Sequence, residues 1–181
     1  DNLACGAHWS LEQVSLIEQV RSVRKPSRLH NNCSGKHAGM LILSHLMNAP
    51  LVGYHRLDHP AQQRILGCLE AMTGCDLTQY PAGVDGCGAP AISGPLGNWA
   101  RGFAMFAGDT TLPEARHHAC QRLAHSIAEA PHLIAGDRRL CTDVNYALGP
   151  SVTVKVGAEG VYAGAFHELG LGLMLKARDG A

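Results

Sequence analysis

Aromatic side chains are scarce in this chain of 181 residues, at 5%, and net charge is absent: 15 Lys and Arg balance 15 Asp and Glu. Without a basic excess the chain has little to offer a polyanion, so neither nucleic acid nor an anionic membrane surface is an expected partner. No apolar run reaches the ~20 residues that cross a bilayer, and no signal peptide is visible, so no membrane association is expected either. Also lacking are G-x-S-x-G, a Walker loop, G-x-G-x-x-G and H-E-x-x-H, the commonest marks of esterases, nucleotide-binding proteins and zinc proteases. Ser22-Val-Arg-Lys25 has S-x-x-K spacing, but it ends a polar helical stretch just before Pro26 and reads as chance. The seven cysteines stand at 5, 33, 68, 75, 87, 120 and 141, with no C-x-x-C pair. An odd, scattered set with no visible signal fits a reducing, cytoplasmic setting with free or metal-bound thiols rather than a disulfide framework.

What is present suits a single globular domain. A chain this long buries roughly 70% of its unfolded surface, so it needs no staples. Helical spacing runs from Leu11 to Arg24 behind a Ser10–Gln13 capping box, and Lys25-Pro26-Ser27 stops it. A second helix is expected from about His37 to Asn48. A third opens at Asp58-His59-Pro60, with Asp58 as its cap, and Gly74 closes it. Residues 75–93, rich in Gly and Pro, read as loop. Pro95 to Ala107 is expected to be helical, with Leu96, Trp99, Phe103 and Phe106 on the core side. Thr111-Leu-Pro-Glu114 starts a long helix to about Ala130, which carries His117, His118 and His125 on a solvated or partly buried face. Pro131 to Gly136 reads as a short connection and Asp137 to Leu148 as a further helix. Ser151 to Val156 then alternates like a strand, Gly157-Ala-Glu-Gly160 is a turn, Val161 to Phe166 returns, and Leu171 to Lys176 adds a third strand. Helices followed by antiparallel strands make an α+β fold.

The chemistry concentrates in Leu29 to Leu41. Asn31, Asn32 and Ser34 are helix-starting residues, and Cys33, Lys36 and His37 then fall one turn apart on a shared helix face. The positive end of that helix favours a thiolate or a bound anion. Asp85-Gly-Cys87-Gly is the second half of the candidate site. Two thiolates and a nitrogen donor suit tetrahedral zinc, yet free Cys is equally a small buried hydrophobe, and spacing leaves both readings open. A Lys ligand must also lose its proton, which asks for a strongly lowered pKa. Asp85 can hold a ligand's ammonium or simply close an Asx-turn. Lys155 lies alone among apolar neighbours in Val152-Thr-Val-Lys-Val156, so it is paired, functional, or turned to solvent from an edge strand. Lys155-Val-Gly157 is also weakly similar to the Lys-Thr-Gly strand of serine β-lactamases.

The stretch His30-Asn-Asn-Cys-Ser-Gly-Lys-His-Ala-Gly-Met-Leu41 resembles the hallmark of the rhizobial-type L-asparaginases. Cys5-Gly-Ala-His8, Asp58-His-Pro60, Asp85-Gly-Cys-Gly-Ala-Pro90, Leu96-Gly-Asn-Trp-Ala-Arg101 and Lys155-Val-Gly-Ala-Glu-Gly160 agree in order, so the likeness spans nearly the whole chain. It implies the fold of serine β-lactamases and glutaminases and the hydrolysis of L-asparagine to aspartate and ammonia by a serine nucleophile with Ser–Lys pairs. It implies zinc held by Cys33, Lys36 and Cys87, with Lys36, His37 and Asp85 near the substrate and Asp85 on its α-ammonium. Lys155 would be catalytic, as the lysine that partners the second serine. A small-molecule substrate and a homodimer are the implied partners. The family's nucleophilic serines precede the part that matches Asp1, and its last helix follows the part that matches Ala181, so the chain is expected to be a piece truncated at both ends. A further departure is Arg139-Leu-Cys-Thr-Asp143, where the family tends to have Phe-Asp-Thr-Asp. The rival readings are a glutaminase-like amidohydrolase, a catalytically inactive zinc-binding homologue, and an enzyme with Cys33 or Cys87 as thiol nucleophile beside His37.

Overall fold

The structure, a computed structural model, describes residues 2–22, 25–108 and 111–180. It is α+β, with helices followed by antiparallel strands as expected. The chain divides into two compact units, Asp1–Cys68 with Leu77–Ser93, and Leu69–Asp76 with Gly94–Ala181.

The first unit begins with helix α1, Gln13–Ser22. Its cap is Glu12, not the expected Ser10. The Glu12 carboxylate accepts the N–H groups of Val14 at 2.9 Å and Ser15 at 2.7 Å, while Ser10 Oγ accepts the N–H of Glu12. A carboxylate outcompetes a hydroxyl there because it also meets the positive end of the helix dipole. The expected end at Arg24 lies outside the described residues. Helix α2, Ser34–Leu46, starts three residues earlier than the apolar spacing suggests. Asn31 explains the early start: its side-chain oxygen accepts the Cys33 N–H at 2.8 Å and its carbonyl the Ser34 N–H at 2.9 Å. Asn48, at φ +52°, takes the left-handed conformation that Asn tolerates and ends the helix. Helix α3, Pro60–Thr73, is capped by His59 rather than Asp58. His59 Nδ1 accepts the Ala61 N–H at 3.1 Å while Nε2 donates to the Pro50 carbonyl. Asp58 is instead drawn to the Arg56 guanidinium at 3.2 Å. The unit closes with a hairpin inside the stretch expected to be loop. Strands β1, Ala82–Val84, and β2, Pro90–Ile92, pair antiparallel around a turn in which Asp85 N–H donates to Ala89 O and Gly88 N–H to Asp85 O, both at 2.8 Å. Three-residue strands are too short to show alternation, which is why the hairpin escaped the sequence pattern.

The second unit takes over within α3. Gly74, at φ +65°, ends that helix as expected. Helices α4, Leu96–Gly108, and α5, Glu114–Glu129, form close to where the sequence pattern places them, but Leu96, expected on the core side, is exposed at the first turn, and Met105 and Ala107 are the buried residues of α4. The expected connection after α5 contains one helical turn, α6, His132–Ala135, and α7, Leu140–Leu148, starts three residues later than expected. Strands β3, Val152–Val156, β4, Val161–Phe166, and β5, Leu171–Lys176, form a sheet in that order. Val154 stands opposite Gly164, and Gly164 opposite Leu173. One face of the sheet puts Val152 and Val154 against Cys141 of α7, with Val144, Val156, Tyr162 and Phe166 around them. The other brings Gly172 against the backbone of α4 so closely that a Cβ would lie 1.9 Å from Ala100 O. The outer edge of β3 is closed by α7. Asn145, fully buried, donates to Val154 O at 3.1 Å and accepts Val154 N–H at 2.9 Å, and Cys141 Sγ accepts Val156 N–H at 3.1 Å.

Candidate functional site

Cys33 stands at the cap position of α2 and Lys36 within its first turn, so the helix start brings thiol and amine out together. The tight turn between β1 and β2 presents Asp85 and Cys87. Asp85 is held twice by that turn, since its backbone carbonyl takes the Gly88 N–H and its Oδ1 the Gly86 N–H at 2.7 Å. These two segments converge. The sulfurs of Cys33 and Cys87 and a carboxylate oxygen of Asp85 all lie within 4.8 Å of one another, a grouping able to hold a metal ion. Lys36 Nζ donates to Asp85 Oδ2 at 2.7 Å, and the Cys87 thiol donates to the same oxygen at 3.6 Å. None of these sulfurs is in a disulfide. Behind them is a small apolar cluster of Leu3, Cys5, Cys87 and Ala89, with Cys33, Met40 and Leu41 packed against it. Cys87 is thus both a buried small residue and a polar neighbour of Asp85, so the two readings of the thiols describe its two sides.

The charges in the cluster are mutually dependent. Burial pushes the Cys33 thiol up; the Lys36 ammonium pulls it back, and the adjacent Cys87 and Asp85 add to the rise. Burial also works against the Lys36 charge, but hydrogen bonds to Asp85 and Cys87 and the negative charges around it outweigh burial and raise its pKa. The hydrogen bond from Lys36 holds the Asp85 carboxyl below its ordinary range, with burial opposing and the ammonium charge assisting. Lys36 and Asp85 therefore form an ammonium–carboxylate pair. Lys36 is 40% and Asp85 35% open to solvent, so the pair contributes little to stability and its significance is electrostatic.

His37 is fully buried one residue beyond Lys36. Burial chiefly, then the charges of Lys36 and His55, lower its pKa, so the imidazole is neutral. Its Nδ1 lies 2.6 Å from the hydroxyl of Tyr54, which itself accepts the Ala4 N–H at 2.8 Å. A raised Cys33 pKa and an Nδ1 already engaged with Tyr54 weigh against a thiol nucleophile activated by this imidazole.

Lys155 belongs to the second unit and is described there alone. It is exposed on β3, the strand at the sheet edge among the described residues, and its ammonium reaches the Val156 carbonyl of its own strand. Its exposure matches the solvent-turned alternative weighed for an edge strand. Two participants have no clear signal in the sequence, Asp85 as a member of the metal-capable group and Tyr54 behind His37, whereas Asn31 starts α2 as its residue type suggests. Tyr54 pairs with His37 across 17 positions, a relation no local spacing encodes. Near the Asp85 turn is an open cleft of about 610 Å³, lined by His55, Arg56, Asp58, Val84, Gly88 and Pro90 among others, and roomy enough for an amino acid.

Compared with known families, the chain matches the profile described as L-asparaginase II over residues 1–181. A comparison with curated proteins returns no match.

Proposed function

The chain belongs to the L-asparaginase II family, and on that premise we propose that it serves the hydrolysis of L-asparagine to L-aspartate and ammonia in the manner of the rhizobial-type enzymes. The observation that carries this reading is the convergence of Cys33, Lys36, Asp85 and Cys87, four polar groups from two distant segments, within a few ångströms.

The donor set fits a metal. Two sulfurs within 4.8 Å of one another are soft ligands of the kind that select zinc, and Cys33, Cys87 and Lys36 would hold it, the Lys36 ammonium first giving up the proton it now donates to Asp85. Bound there, zinc supplies a fixed positive charge at the edge of the amino-acid pocket. With Lys36 deprotonated on the metal, Asp85 would lose its present ammonium partner and be left to recognise the substrate's α-ammonium in its place. His37, neutral, offers an uncharged imidazole to the substrate. In this reading the nucleophilic serine lies outside these 181 residues. Its hydroxyl proton passes to a neutral lysine as the oxygen attacks the side-chain amide carbon. The C–N bond breaks with proton return to the departing ammonia, and water then cleaves the acyl ester to release aspartate. Lys155 is the lysine assigned to the second serine. A homodimer in the cytoplasm belongs to the same proposal.

The test uses the intact gene product, with metal content measured beside an asparagine-to-ammonia assay and glutamine as competitor. Stoichiometric zinc and ammonia release are expected. Protein without metal that releases no ammonia removes the proposal. A pocket that prefers glutamine transfers the reading to a neighbouring specificity, since one methylene is worth only ~1–3 kcal/mol. Asp85→Asn is expected to raise KM for asparagine about tenfold or more while changing kcat less, the signature of lost ground-state binding.

A further inference from the structure

The structure assigns Tyr54 as a positioning residue: its hydroxyl fixes His37 as the tautomer with hydrogen on Nε2, leaving that N–H to meet an oxygen of the ligand. Tyr54 is 1% exposed and His37 is 0% exposed, so water does not arbitrate between them. The hydroxyl oxygen lies 2.8 Å from the Ala4 nitrogen and 2.6 Å from His37 Nδ1. A backbone N–H can only donate, so Tyr54 Oη accepts from Ala4. Its single hydrogen is then free to be given to His37 Nδ1, which accepts it and places the ring hydrogen on Nε2.

The alternatives satisfy fewer groups. If Nδ1 carried the hydrogen, Tyr54 Oη would accept twice, its own hydrogen would lack an acceptor, and the Nε2 lone pair would lack a donor. If both nitrogens were protonated, the hydroxyl hydrogen and the Nε2–H would both lack acceptors. The assigned arrangement leaves only the Nε2–H unpaired, and buried polar groups are paired as fully as the fold permits. The His37 Nε2 atom indeed finds no hydrogen-bond partner among the described residues.

Each partner in this relay is itself held in place. Gln62 donates to the Tyr54 carbonyl at 2.9 Å, and the Tyr54 ring lies edge-on to both His37 and His55, with centroids 5.6 Å apart in each case. The Arg28 guanidinium donates to Leu3 O, which ties down the segment that supplies the Ala4 N–H. Orientation therefore passes from a backbone amide through a phenol to an imidazole. The buried donor at its end is suited to a carboxylate or carboxamide oxygen. Naming that oxygen as asparagine's rests on the reading above; the tautomer does not.

Long-range ¹H–¹⁵N correlation spectra of the intact, histidine-labelled protein read the tautomer directly, with the His37 signals identified by their loss in His37→Gln. The wild type is expected to show hydrogen on Nε2 alone. Tyr54→Phe is expected to give a mixture of tautomers and a fall in kcat/KM for asparagine of about tenfold. His37→Gln, which keeps an N–H donor, should retain at least ten times the activity of His37→Leu. If Tyr54→Phe does not fold, the wild-type spectrum and the Gln/Leu contrast decide. Hydrogen on Nδ1 in the wild type, an unchanged tautomer in Tyr54→Phe, or equal losses in the two His37 variants would overturn the assignment. The Nε2–H spectrum in a protein that releases no ammonia sinks the asparaginase reading and leaves the relay standing.

Discussion

In the first unit much of the interior is polar: Asn31, His37, Ser44, His59 and Gln62 are buried, along with Tyr54, Leu66 and Leu77 and a cluster made of Leu3, two cysteines and Ala89. In the second, a helix lies hard against a sheet, and backbone meets backbone at Gly172. The first unit is ordered by single side chains bridging distant segments, as Asn31, Tyr54 and Gln62 do. The second is ordered by close packing of whole elements. Buried polar groups gain little from transfer out of water and rely on their hydrogen bonds, and Ile42, Leu46 and Val52 of the first unit stay exposed. A region built to present thiols, an amine and a carboxylate gives up packing to do so, as functional regions commonly do.

The comparison breaks most sharply at Gly172. An added Cβ would meet Ala100 O at 1.9 Å, Ala104 N at 2.3 Å and Phe103 C at 2.9 Å, all backbone, so helix or strand must shift. Gly172→Ala is expected to destabilise by about 3 kcal/mol or more, the upper range of overpacking, read as a lowered denaturant midpoint. A loss under about 1 kcal/mol would show that α4 and β5 are not closely packed.

Asn145 comes next, as the point where the second unit relies on the polar bridging that organises the first. Asn145→Leu keeps the volume but strands the Val154 N–H and C=O, each bonded only to that side chain on the outer edge of β3. About 2–3 kcal/mol should be lost, with faster hydrogen exchange at the Val154 amide than in the wild type. An unchanged exchange rate would mean water already serves that edge.

The same contrast sets what the sequence could disclose. The break between β3 and β4 is legible because their β-branched and apolar runs are separated by Gly157-Ala-Glu-Gly160, where Glu159 and Gly160 both take positive φ. The one-turn spacing of Cys33, Lys36 and His37 is legible because α2 is regular there. Cap identities are not: whether Ser10 or Glu12, Asp58 or His59, serves a helix start depends on which acceptor the backbone happens to face. The β1–β2 hairpin is hidden by its brevity, and the Tyr54–His37 contact by its separation along the chain. Packing of whole elements follows periodic patterns, whereas bridging by single side chains depends on tertiary geometry, so the second unit is the more readable of the two.

Tyr162 gives a smaller effect, confined to alkaline pH. Burial first, then the neighbouring Cys141 thiol, push its phenol up to about 12. An acid whose folded pKa lies above its unfolded value of ~10 stabilises the fold fully below pH ~10. That contribution is lost as pH rises from there through about 12. The ring is only partly buried, which brings the loss below the ~2.7 kcal/mol ceiling of two pH units, to about 1–2 kcal/mol. Tyr162→Phe should flatten this limb of the pH–stability curve and change little at pH 7, because the buried hydroxyl makes no conventional hydrogen bond. An alkaline limb identical in the variant would place the titration elsewhere.

The mildest change is the Gly172 substitution repeated in the first unit. Gly39 is exposed within α2, and nothing lies within 4 Å of a Cβ built there. With no clash to oppose it, Gly39→Ala lowers the entropy of the unfolded chain and shields helix backbone, so a gain of about 0.5–1 kcal/mol is expected. The substitution that costs most at Gly172 should therefore stabilise at Gly39, and the difference in sign, measured by the same denaturant titration, isolates packing from propensity. A loss at Gly39 would mean that another surface covers that face of α2, and the openness assigned to the first unit would then belong only to the isolated chain.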